Sequence, residues 1–213
     1  MDKDIQLIGQ ELRDVRGVNV SKGKLDLIVL RYMARRIHLT LYHLGEPMTK
    51  SKPLLYKLQE RHGRTHRIAI YRYQKLLLKR PLAFVGFISG RQRNLHSSIL
   101  CAIEMVDKQL IEELVSSPGI LSYSSLELHN GNWFNLVLLR DVKAKAHFKG
   151  TETHTYAAYH LAPRFYEWIR LHNGIMPEGL DHAEMKLQKT KFYTFYPAQQ
   201  RPFIQELTYD ARC

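Results

Sequence analysis

The sequence predicts an α+β fold: a ferredoxin-like βαββαβ unit forming an α+β barrel, with a basic N-terminal extension. Three observations carry this. From Pro81 onward the pattern alternates strand, helix, strand, strand, helix, strand. Leu95, Ile99, Ile103, Val106, Leu110 and Leu114 recur every three or four residues, one apolar stripe on a long helix. Asn130-Gly131 separates two strand-like runs, the pairing that a type I′ hairpin turn favours. A sheet of this order buries one face under its two helices. Its other face is also apolar and needs a cover, and pairing two such sheets, within a dimer or within one chain, supplies one. Residues 81–213 therefore read as the barrel domain. Residues 1–80 read as a basic extension, either strands of the same barrel or a separate helical cap.

The elements follow in order. In residues 1–24, Ile5, Ile8 and Leu12 have helical spacing, and Gly17 and Gly23 are expected to break the helix. Residues 25–42 fit either a helix or two strands, and the alternating HLTLYHL run at 38–44 favours a strand. Residues 45–52 read as a loop. Residues 65–73 alternate, with Ile68 and Ile70 on one face. LAFVGFI at 82–88 is a buried-strand pattern closed by Ser89-Gly90. Asn94 or Ser97 can cap the helix that follows. Ser116-Ser-Pro-Gly119 ends that helix, because proline cannot continue it. Residues 120–128 and 133–140 are the hairpin strands. Asp141 is expected to cap a helical region running to about His172, split at Pro163 and closed by Asn173-Gly174. FYTFY at 192–196 supplies the last strand, and the remainder packs as a tail.

Composition narrows the function classes. The chain has 213 residues, 45% hydrophobic, with a formal net charge of +12. Such a field favours anionic partners. Residues 25–44, the longest apolar candidate, carry Asp26, Arg31, Arg35, Arg36, His38 and His43, too many charges for a membrane span. The N-terminus lacks the apolar core of a secretory peptide, so a cytoplasmic location is expected. Two cysteines, Cys101 and Cys213, do not make a disulfide framework or a cysteine zinc site. Phosphate loops, a dinucleotide fingerprint and a Ser-His-Asp signature are absent. Basic residues crowd 31–80, where Arg67 and Arg72 interleave with Tyr71 and Tyr73. Cations bind phosphates and aromatics stack on bases, so nucleic-acid binding is an alternative; a solvated basic surface is the plain one.

The helix, the following SSPGILSY at 116–123, the hairpin, and AHFKGTETHTYAA at 146–158 resemble the antibiotic biosynthesis monooxygenase group of the dimeric α+β barrel superfamily. The resemblance covers about residues 80–160. It implies a small monooxygenase and a homodimer, with an apolar or aromatic substrate held between sheet and helices. In the haem-degrading branch of that group a His on the second helix ligates iron, and His154 matches it. That branch also has a Trp where this chain has Arg140-Asp141, and an Asn on the first strand that is missing here. The resemblance therefore implies either a haem cofactor or none, and does not imply haem degradation.

The second helical region supplies the candidate residues. His154, in helical phase with Ala157, Ala158 and Leu161, is the expected iron ligand or general base. Arg164 is the expected carboxylate clamp. Tyr156 and His160 are expected to line the cofactor pocket. His147 and His154 lie seven apart and could share a face. No carboxylate at i+4 completes a zinc or di-iron set. Phe165, Trp168, Ile169 and His172 read as a core stripe, and Glu167 with Arg170 as a surface pair. Each candidate has a plain reading beside it: a helix-capping or core histidine, a surface arginine. A non-catalytic haem or pigment carrier is the remaining alternative.

Overall fold

The computed structural model describes residues 2–44, 53–128, 132–149, 151–196 and 201–209. The fold is α+β. Helix α1 spans Asp2–Leu44. Strands β1 (Leu54–Gln59) and β2 (Thr65–Ile70) and the single-turn helix α2 (Tyr73–Leu76) follow. Next come β3 (Leu82–Arg91), α3 (Ser97–Glu113), β4 (Ile120–Glu127) and β5 (Trp133–Leu139). Short helices α4 (Ala144–Lys149), α5 (Glu152–Tyr156) and α6 (Ala162–Phe165) lead to β6 (Tyr166–Met176), β7 (Lys186–Thr194) and β8 (Phe203–Thr208). The strands form one antiparallel sheet in the order β1-β2-β4-β5-β3-β6-β7-β8.

This sheet is open and does not close into a barrel. Strands β1 and β8 stand at opposite edges. The reason is the cover over its second face. Leu30, Met33, Ala34, Ile37 and Leu41 of α1 pack in one core with Ile68, Phe84, Ile88, Leu126, Leu136 and Leu138 of the sheet. One amphipathic helix thus covers the face that a second sheet would have covered. Gly86 lets it approach closely: a Cβ there would lie 2.5 Å from Leu30 Cδ1. On the opposite face, Leu114 just past α3 and Ala144 of α4 pack against Ala69, Ala83, Ile120 and Leu139.

The long hairpin, α3 and strands β2 to β5 follow the sequence pattern. His96 caps α3, its side chain accepting a hydrogen bond from the Ser98 amide. The Asn130-Gly131 turn lies outside the described residues, as do 45–52.

Three readings change. Helix α1 continues through Gly17 and Gly23, and residues 38–44 are helical. A buried stripe at 30, 33, 34, 37 and 41 outweighs the roughly 1 kcal/mol that each glycine costs a helix. The second helical region stops at Phe165, and residues 166–176 form β6 between β3 and β7. Pro163 lies in the last helical turn. His172 therefore sits in a strand, opposite Gly86 on β3 and Thr190 on β7, and Asn173-Gly174 marks a bulge. The strand expected last, at 191–196, is the end of β7 as far as Thr194, and the expected tail supplies β8.

Candidate functional site

The face of the sheet under α3 carries a row of polar and aromatic side chains in strict register. Arg67 on β2 pairs with Ser125 on β4, Ser125 with Asn135 on β5, and Asn135 with Phe87 on β3. Side chains alternate along a strand, so paired positions point to one face. The four therefore form a line across neighbouring strands. Tyr123, two residues before Ser125, shares this face, and α3 lowers Asp107 onto it.

Arg67 Nη1 donates to Asp107 Oδ2 at 2.6 Å and Nη2 to Ser125 Oγ at 3.3 Å. Its guanidinium carbon lies 5.0 Å from the centre of the Trp133 ring, a cation–π stack. Arg67 Nε is buried and has no hydrogen-bond partner among the described residues. The Tyr123 hydroxyl lies 3.3 Å from Asp107 Oδ1 and 3.2 Å from Asn135 Oδ1, so its one proton serves one acceptor at a time. Burial, then the Asp107 charge, pushes the Tyr123 hydroxyl well above its ordinary range, and the same two causes raise Tyr166. Both are hydrogen-bond donors at neutral pH. Tyr166 meets Phe87 edge-on at 5.5 Å. The site thus combines aromatic walls, an anion-seeking guanidinium, a carboxylate and a protonated phenol.

The face under α1 carries two buried carboxylate–imidazole networks. In one, His66 Nδ1 donates to Glu60 Oε1 at 3.0 Å and Ser124 Oγ lies 2.7 Å from Nε2. Arg36 Nε (3.0 Å) and the Tyr32 hydroxyl of α1 also bond Glu60. In the other, Asp26 of α1 accepts from Arg170 Nε at 2.6 Å, Arg170 Nη2 at 2.8 Å and His172 Nε2 at 2.9 Å. Thr190 Oγ1 lies 2.8 Å from His172 Nδ1 and 3.1 Å from the Tyr209 hydroxyl. The first reproduces the bonding order of a nucleophilic triad. Ser124 and His66 are nevertheless fully buried beneath α1. Finding the same device at both places fits a fastening: each network ties α1 to the sheet.

Their ionisation follows. Burial, the larger influence, outweighs Glu60 and holds the His66 pKa below 6.5. Burial raises Asp26, but the hydrogen bonds from His172 and Arg170 outweigh it and hold it below 3.8. Glu60 is likewise held below 4.5, by Tyr32 and His66 against burial. Above pH 6.5 His66 is neutral whether folded or unfolded. Below that the unfolded chain binds the proton first, so stability falls until the folded imidazole also titrates. The carboxylates stabilise above their unfolded values, and that contribution is lost as pH falls through their folded ones. Urea midpoints at pH 7.5, 6.0 and 5.0 are expected to decline with acid. His66→Gln, which cannot be protonated, is expected to flatten the upper part of the decline; an unchanged slope would remove His66 as its cause.

The residues expected to act lie elsewhere. His154 is half-buried on α5, its amide donating to Thr151 Oγ1 at 3.3 Å. Tyr156 and His160 are exposed and stack on each other at 5.6 Å. Arg164 is exposed on α6. The structure brings Tyr156 and His160 together but turns them and Arg164 to solvent. The His147 side chain lies outside the described residues. No group of three or more His, Cys, Asp or Glu among the described residues is arranged for a metal. An open depression of ≈ 490 Å³ lies at the strand ends, over Gln92, Arg93, Glu167, Trp168, Thr194 and Phe195. Arg170 stacks on Trp168 at 4.3 Å and pairs with Asp26, replacing the expected surface pair with Glu167.

The basic third is partly consumed inside the fold. Arg72 donates to the carbonyls of Tyr71 (3.0 Å) and Val115 (2.8 Å), Arg31 to that of Met185 (3.2 Å). No described helix is long and apolar enough to cross a membrane.

No family model matches the chain, and no curated protein matches it. Among solved structures, the crystal structure of protein SO0527 from Shewanella oneidensis is similar with a TM-score of 0.38 and 10% identity. The match covers 46% of this chain and 93% of that one.

Proposed function

We propose that residues 82–176 form a ferredoxin-like unit and that the protein is a small monooxygenase. It binds an electron-rich phenol or aromatic acid between the sheet and α3. The strand order β4-β5-β3-β6 supports the first part, with α3 and α4–α6 as the two crossovers. The observation that supports a ligand site there is Arg67: its side chain is about one-third exposed, stacks on Trp133 and pairs with Asp107, while its covered Nε has no hydrogen-bond partner among the described residues. Buried donors are nearly always satisfied, so an acceptor on a ligand reaching the exposed part of this guanidinium is the reading we adopt.

A phenol can supply the electrons itself. With dioxygen, one oxygen atom enters the ring to give a quinone and the other leaves as water, so no external reductant is required. In this reading Asp107 takes the phenolic proton, Arg67 stabilises the resulting oxyanion, and the Tyr123 hydroxyl orients it.

The test uses a Trp168→Phe background, so that fluorescence reports Trp133, and a panel of hydroxyarenes. Quenching of Trp133, with oxygen uptake equal to quinone formed, is expected. Arg67→Gln is expected to lower kcat/KM by about 10²-fold. Arg67-dependent quenching without oxygen uptake would make the protein a carrier. Binding and turnover unchanged by Arg67→Gln would sink the assignment of this site.

A further inference from the structure

The inward face of α1 is used up by the sheet, yet its outward face is also apolar. Leu25, Ile28, Tyr32, Leu39 and Tyr42 are 41–79% exposed. Their spacing, with Arg35 at the interrupted position, alternates three and four residues over 25–42. That is the a/d repeat by which one helix seats another. Single exposed apolar residues need no explanation, but a continuous stripe on one helix does. The stripe is also held rigidly. Asp26 fastens one end of this segment, and Tyr32 and Arg36 fasten its middle through Glu60. It is therefore presented rather than free to turn inward.

The flanks identify the occupant. Lys24 precedes Leu25 and Arg31 precedes Tyr32, and Arg35 interrupts the seam; all three are exposed, although one Arg31 guanidinium nitrogen also donates to the Met185 carbonyl. A second copy of α1 would set these cations against their equivalents, which is repulsive. An acidic partner would neutralise them. We propose that α1 is a docking surface for an amphipathic helix of another protein, with apolar residues in heptad spacing and Glu or Asp on its flanks. The chain's net charge of +12 steers such a partner toward it.

The probe is a labelled three-heptad peptide with Leu at a and d and Glu at e and g, followed by fluorescence anisotropy on the full chain. A counterpart carrying Lys at e and g is the control. Saturable binding of the acidic peptide alone is expected, weakening at high salt. Ile28→Glu and Leu39→Glu are each expected to reduce affinity at least tenfold while circular dichroism and the unfolding midpoint stay unchanged, because both side chains are exposed. Reversing Arg31 and Arg35 to Glu is expected to switch preference to the Lys peptide. Three results would overturn the proposal: equal binding of both peptides, binding untouched by the two stripe substitutions, or no peptide binding. If the stripe substitutions instead abolished self-association in sedimentation, or binding to phosphatidylserine vesicles, the face would serve a second copy or a membrane surface.

Discussion

Asp26→Ala is expected to cost about 3–5 kcal/mol of folding stability, the range for removing one partner of a buried ion pair. Asp26 is 4% exposed and accepts three hydrogen bonds, two from Arg170 and one from the fully buried His172. Removing the carboxylate leaves the largely covered Arg170 charge and the fully buried His172 N–H without their acceptor. The loss far exceeds that expected at an exposed pair such as Arg140–Asp141, where solvent screens both charges. Urea unfolding should show a lower midpoint with an unchanged slope, since the native and unfolded surfaces are little altered. A loss under about 1 kcal/mol would mean that the Asp26 network contributes little to holding α1.

Phe84→Ala is expected to cost a comparable about 3–5 kcal/mol, for a different reason. Phe84 is the largest fully buried side chain, on the central strand β3 between sheet and α1. Its ring lies over Gly174, where a Cβ would meet Phe84 atoms at 2.6 Å and the Lys186 carbonyl oxygen at 2.2 Å. Truncation leaves a cavity walled by backbone on that side, which cannot collapse to fill it. The same geometry predicts that Gly174→Ala destabilises as well, since the carbonyl belongs to the β6–β7 pairing. Thermal unfolding of both variants checks this; a Phe84→Ala protein as stable as the parent would show that α1 can settle into the gap.

The two losses should add. Asp26 and Phe84 act through different partners, an ion pair and a packed ring, and sites with no shared contact are close to additive.

Much of the fold was legible because local signals agree with it. The stripe from Leu95 to Leu114, the helix-ending Ser-Pro-Gly and the hairpin strands needed no distant partner to be recognised. Helix α1 was half legible: its inward residues have helical spacing, but 38–44 also alternate, and only contact with the sheet decides between the two. β6 was misread because Phe165, Trp168, Ile169 and His172 satisfy a helical period by coincidence. Its pairing with β3 and β7 outweighs that pattern. The candidate site was hidden for a related reason. Arg67, Asp107, Tyr123 and Asn135 lie up to 68 residues apart and converge through strand register. Each in isolation looked ordinary: a basic residue, a helix-surface acid, a strand tyrosine.

By itself the sequence determined the class of the fold, its central strand–helix–hairpin run and its basic charge, since these are set by local spacing and composition. The tertiary structure alone decided that α1 covers the second face and leaves the sheet open. It also decided that His66 and His172 bond carboxylates beneath that helix, and that Arg67, Asp107, Tyr123 and Asn135 meet under α3. Those outcomes depend on which distant surfaces compete to bury the same apolar face, and on hydrogen bonds that exist only after they have met.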